Sequence, residues 1–209
     1  DGTLWSATYT GPLGVNSPVW TKTTSDFMGR RLREERPGFS SAPSASSVVT
    51  NSYSYNSKGQ LSSSAFISGS ITQTTLYEYN SIGDQIRSGL DVDNNGTLDL
   101  AGSDRISESA TSYESDPSDD WWRVSVSRIY ATAGSGVATT TSVTRTRLTG
   151  LSSNLASESV ALDIHGNAVT NRASVNRALK TTTATTTYPD SVIAAESTTS
   201  NGLLIRVVS

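Results

Sequence analysis

Nine residues, Asp91-Val92-Asp93-Asn94-Asn95-Gly96-Thr97-Leu98-Asp99, put oxygen-bearing side chains at the first, third, fifth and ninth positions of a loop and glycine at the sixth. Ca²⁺ takes roughly six to eight hard oxygen ligands on a tightly turned backbone, which is what this alternation supplies, with the glycine making the turn. The twelfth position, where a bidentate glutamate would complete such a loop, is Gly102, and Asp104 stands just beyond it as the substitute. The expected ligands for Ca²⁺ are therefore Asp91, Asp93, Asn95, Asp99 and Asp104. The same residues also suit a polar turn in which Asp and Asn oxygens accept hydrogen bonds from nearby amides, and both alternatives stand. Asn95-Gly96-Thr97 is also the chain's one N-glycosylation sequon, a use that metal binding at Asn95 would exclude.

Other reactive groups are sparse. His165 is the single histidine, and although Asp163 lies two residues away, there is no Gly-x-Ser-x-Gly elbow to supply a nucleophile. A histidine within a turn is the simpler reading. Asp116, Asp119 and Asp120 stand beside Trp121 and Trp122. Glycosidase chemistry needs two carboxyl groups held about 5–10 Å apart across a cleft, whereas adjacent acids at a proline turn read as a solvated tip. Successive strand residues face opposite ways, so one of the two tryptophans is expected to be core and the other an exposed platform on which a sugar would stack. Arg30, Arg31, Arg33 and Arg36 are offset by Glu34 and Glu35 and read as a salt-bridged face. No enzymatic activity is expected.

The elements that must carry these groups are strands. Of 209 residues, 37 are Ser and 28 are Thr, 34% are hydrophobic and none is Cys. Such a chain is either disordered or all-β with thin cores, and the β-branched threonines and eight tyrosines favour the latter. No stretch shows helical apolar spacing over three turns. The net charge of −3 and the absence of a clustered basic surface argue against nucleic acid, and no apolar run approaches the length of a membrane span. The lack of cysteine excludes disulfides and thiolate metal sites.

A hairpin device recurs. Tyr77-Glu78-Tyr79-Asn80-Ser81-Ile82-Gly83-Asp84 pairs two tyrosines on one strand face with a glycine-centred turn, and Tyr53-Ser54-Tyr55-Asn56-Ser57-Lys58-Gly59-Gln60 repeats it 24 positions earlier. Looser copies are Asp26-Phe27-Met28-Gly29-Arg30 and Asp163-Ile164-His165-Gly166-Asn167. Repetition at such a period marks an architecture built from one supersecondary unit. These Tyr-x-Tyr-Asn-x-x-Gly and Asp-x-x-Gly elements resemble the YD repeats of the Rhs family, which includes bacterial Rhs and toxin-complex proteins and the teneurins. The resemblance implies strips of β-hairpins wound into a spiral shell.

The expected fold is all-β: consecutive antiparallel hairpins forming a repeat strip or spiral sheet. Residues 1–39 are expected to form an N-terminal β segment, the Ser/Ala/Pro-rich stretch 40–47 a linker, and residues 48–209 the hairpin repeats. Residues 30–36 read as a return strand, residues 89–104 as a loop, and the apolar segment Leu203-Leu204-Ile205-Arg206-Val207-Val208 as a terminal edge. The start at Asp1, without Met, suggests a processed product or a piece of a longer protein. The expected role is structural and extracellular, secreted or at the cell surface: a shell, stalk or fibre that associates with itself or with adjacent repeats. A carbohydrate-binding adhesion module is the alternative.

Overall fold

Alternating polar and β-branched residues, interrupted by Asp/Asn-x-x-Gly, leave the backbone one repeated choice of extended run, tight reversal and extended run. The computed structural model describes residues 2–10, 19–38, 48–190 and 193–208, so the expected linker at 40–47 lies outside the described residues. The strands are β1 (Leu4–Tyr9), β2 (Trp20–Ser25), β3 (Arg31–Pro37), β4 (Val48–Tyr55), β5 (Leu61–Ser68), β6 (Ile71–Tyr79), β7 (Gln85–Asp91) and β8 (Arg105–Ser115). They continue as β9 (Trp121–Tyr130), β10 (Thr139–Arg147), β11 (Ser157–Leu162), β12 (Ala168–Asn176), β13 (Thr181–Thr187), β14 (Ile193–Ser200) and β15 (Leu203–Val208). They form one open antiparallel sheet in strict sequence order, β1 to β15, and no helix occurs among the described residues. The all-β hairpin strip expected from the sequence is the fold observed.

Residues 30–36 do form the return strand, β3, with Arg31 paired to Glu34 at 2.6 Å and Arg33 to Glu35 at 3.0 Å. One boundary differs. The chain stays extended through Gly89 to Asp91, so the loop begins at Val92. The reason is close packing: a Cβ at Gly89 would lie 2.8 Å from the Arg105 carbonyl oxygen and 3.0 Å from Ile106 and Leu98 side-chain atoms. Glycine within a strand marks such an approach of backbones.

The chain divides into two compact units, residues 1–107 with 130–137, and residues 108–129 with 138–209. In the first, Val49 and Ile106 are buried, together with Asp26, Thr50, Asp91 and Asp104. With so little apolar burial, the order of this unit depends on its turns. Asn56 Oδ1 accepts the amides of Lys58 and Gln60, both at 3.0 Å, while its main chain bonds to Gln60 and Gly59. Asp26 and Asn80 repeat this scheme with Met28 and Arg30, and with Ile82 and Asp84. The fourth residue takes positive φ, 80° at Gly59 and 105° at Gly83, which glycine adopts without steric cost. Side chains then link one turn to the next. Tyr55 Oη donates to Arg31 O at 2.8 Å and Tyr79 Oη to Leu61 O at 2.9 Å, while Gln60 Nε2 donates to Gly83 O at 2.9 Å. The Arg30 guanidinium lies 4.9 Å from the Tyr55 ring centre. The second tyrosine of each pair noted in the sequence, Tyr55 and Tyr79, therefore serves as a hydrogen-bonded tie back to the preceding turn.

In the second unit, Trp122 and Val124 on β9 are buried beside Glu158 of β11. The register aligns Trp122 with Arg147 across β9 and β10, and Glu158 with Arg172 across β11 and β12. Because side chains alternate faces, Trp122, Arg145, Arg147, Glu158 and Arg172 share one face.

Candidate metal centre

The acidic loop is held by the ends of β7 and β8, which deliver Asp91 and Asp104. Both carboxylates are buried, 4% and 3% exposed, and both fold the loop by accepting its amides. Asp91 Oδ1 accepts Asn95 N at 3.1 Å and Oδ2 accepts Gly96 N at 2.9 Å. Asp104 Oδ1 accepts Val92 N at 2.8 Å and Oδ2 accepts Asp99 N at 2.9 Å. Gly102 belongs here for a steric reason: a Cβ at that position would sit 2.7 Å from the Cβ of Asp99. Hence the twelfth position offers no side-chain ligand, and the nearest carboxylate beyond it is that of Asp104.

Of the five expected ligands, Asp91, Asp93 and Asp104 converge, each with an oxygen within 4.8 Å of the other two. Oxygens on opposite sides of a Ca²⁺ ion at its usual ligand distance are about 5 Å apart, so these three fit one coordination sphere. Asp99 and Asn95 are tied to each other, since Asn95 Nδ2 donates to Asp99 Oδ2 and to Asp93 Oδ2, the latter at 3.1 Å. Asn95 Oδ1 faces Thr97 instead, accepting its amide at 2.8 Å and its hydroxyl at 2.7 Å. No Lys or Arg among the described residues forms an ion pair with any of the four aspartates. Two unit charges at that separation repel by about 3 kcal/mol at an effective dielectric of about 20, and loop amides offset this only in part. For Asn95 to join a cation at the trio, its amide would have to rotate so that its oxygen, not its nitrogen, faces the acids.

The acidic turn at 116–120 does different work. Asp116 Oδ1 accepts Ser118 N at 2.8 Å and Asp120 N at 3.1 Å, and its Oδ2 accepts Trp122 Nε1 at 3.1 Å. The Trp122 hydrogen bond, followed by those from the turn amides, holds the Asp116 carboxyl below the usual aspartate range. Asp120 pairs with Arg147, which reaches Glu158 at 2.9 Å, and Glu158 also receives Arg172 at 2.6 Å. Burial opposes the charge on Glu158, but the two guanidiniums outweigh it and its pKa is lowered. The Arg145 and Arg147 guanidiniums stand 5.4 and 5.3 Å from the Trp122 ring centre. Trp122 is thus core, 7% exposed, while Trp121 is 48% exposed, the division expected of strand neighbours. His165 lies in a turn, its amide donating to Asp163 Oδ1 at 2.8 Å.

The Trp122 network was not anticipated from sequence. Its members are spread from Asp116 to Arg172, and only strand register brings them together. No family model matches the chain, and no curated protein matches it.

Proposed function

We propose that this chain is a structural, non-enzymatic segment of an extracellular β-repeat protein of YD/Rhs type, which works by extending its sheet edge to edge. The observation that carries this reading is the last strand of the consecutive sheet. β15 is paired to β14 on one side, and Leu203, Leu204, Ile205 and Val207 are 59–72% exposed. A strand apolar on both faces has the composition of an interior strand, and its open edge offers amides and carbonyls to another strand. An adjacent repeat of the same protein or a second copy satisfies both demands. Substituting Leu204 and Ile205 with Lys is expected to abolish association measured by light scattering, whereas unchanged association would overturn the edge reading.

Ca²⁺ is proposed as the ion held by Asp91, Asp93 and Asp104, with Asn95 and Asp99 completing the site after the amide rotates. The support is the convergence of three carboxylates on a loop already folded around two of them. Calorimetric titration should detect Ca²⁺ binding that Asp93→Asn weakens. Absence of heat at millimolar Ca²⁺ would remove the ion from the proposal and leave a hydrogen-bonded turn.

The exposed Trp121 ring favours one second reading, a glycan-binding adhesion surface. Lack of binding across a broad glycan array would sink it; binding that Trp121→Ala abolishes would support it.

A further inference from the structure

Asn-Gly occurs twice in the chain, at Asn95-Gly96 and at Asn201-Gly202. In this dipeptide the glycine amide nitrogen is unhindered and can attack the asparagine side-chain carbonyl carbon. The two sites differ in their surroundings. At the first, the attacking Gly96 N–H donates to the buried Asp91 Oδ2 at 2.9 Å, a base beside the nucleophile. The carbonyl under attack, Asn95 Oδ1, accepts the Thr97 amide at 2.8 Å and the Thr97 hydroxyl at 2.7 Å. Those two donors sit on the oxygen where negative charge develops. The departing nitrogen, Asn95 Nδ2, donates to Asp93 at 3.1 Å and also to Asp99. A base on the nucleophile and donors on the developing oxyanion are two parts of an acyl-transfer centre, while the acids around Nδ2 fix the orientation of the amide. At the second site, Asn201 has φ of 49° in a tight hairpin turn, and its side chain has no hydrogen bond among the described residues.

We infer that Asn95 is a self-modification site, where the fold accelerates conversion of asparagine to aspartate or isoaspartate. The Gly96 N–Cγ bond forms as the Cγ–Nδ2 bond breaks. The proton removed from Gly96 is balanced by one gained at the departing nitrogen, which leaves as ammonia, and water then opens the cyclic imide. No other co-reactant is needed. The product carries a carboxyl group in place of the amide that donated to Asp93 and Asp99, so the loop gains a fifth acid and loses its sequon. The contacts belong to the loop without Ca²⁺, because a bound ion that took Asn95 as a ligand would turn its amide oxygen away from Thr97.

The test uses the unaltered chain in chelator, incubated native and in guanidinium, with tryptic peptides resolved by mass spectrometry. Cleavage after Arg87 and Arg105 isolates Asn95, and cleavage after Lys180 and Arg206 isolates Asn201. Conversion at Asn95 is expected to be on the order of tenfold faster in the native chain than in the denatured one, and faster than at native Asn201. Asp91→Asn and Thr97→Val should each slow it toward the denatured rate, with Thr97→Val leaving the buried carboxylates in place. A native rate equal to or below the denatured rate, as simple rigidity gives, would overturn the inference.

Discussion

The turns at 56–60 and 80–84 follow the same backbone course as the turn at 116–120, yet they are anchored by different chemistry. In each, the first residue's side-chain oxygen takes the amides two and four residues on, and the main chain closes between first and fifth residues. In the first two turns that residue is neutral Asn, and the preceding Tyr of the later turn ties back to the carbonyl after the earlier one. In the third it is Asp, the preceding residue is Ser115, and the fifth residue, Asp120, joins Arg147 and through it Glu158. The lesson is a division of labour. First and fourth residues set the backbone, while the fifth and its neighbours decide whether a neutral ladder or a charged network forms around it.

Breaking the charged network should have the largest effect. Glu158 is the buried hub of two ion pairs, so Glu158→Ala leaves Arg172 without its anion and Arg147 with Asp120 alone. A loss of about 3 kcal/mol is expected in chemical denaturation of the second unit. A loss below about 1 kcal/mol would mean the network is no more than a surface pair.

Acid separates the two regions by the same logic. The folded-state pKa of Glu158 lies below its ordinary 4.5, so its stabilisation is complete above that value. It is lost as pH falls through the depressed folded value, because the unfolded chain takes up the proton first. Asp116 acts in the same direction from an ordinary 3.8. The Asn56 and Asn80 turns have no such group at their first position. Hydrogen exchange below about pH 4.5 should therefore deprotect β10–β12 before β4–β6. The reverse order would contradict the comparison.

Smaller changes probe the ladder. Tyr79→Phe removes the donor to Leu61 O and should cost about 1 kcal/mol, whereas Tyr113→Phe, 62% exposed, should be neutral within about 0.5 kcal/mol. Equal effects would show that the tie is not used. Asp119 occupies the fourth position of its turn at φ of 61°, where the other turns have glycine. Asp119→Gly is expected to hold or raise Tm, and a clear fall would show that the aspartate side chain matters beyond its backbone.

Much of this was legible in the sequence because hairpin signals are local. Asn56 to Gln60 and Asn80 to Asp84 announce their turns, and alternation fixes the strands around them. The sequence shows an acidic turn at 116–120, but its likeness to the glycine turns is hidden because Asp119 takes the left-handed position. The acidic loop was legible as a ligand pattern, but the sequence did not show that Asp99 would be engaged by Asn95 while Asp91 and Asp104 are buried. The partners of the tyrosine hydroxyls and the ring of arginines around Trp122 depend on register across strands. Spacing along one strand does not encode that.

The central claim is that the strip is built to be extended, and electron microscopy of the purified chain, with Ca²⁺ and with chelator, tests it most directly. The account predicts ordered filaments or shells, disrupted by Lys at positions 204 and 205 and loosened by chelation. Monodisperse single particles under both conditions would contradict it.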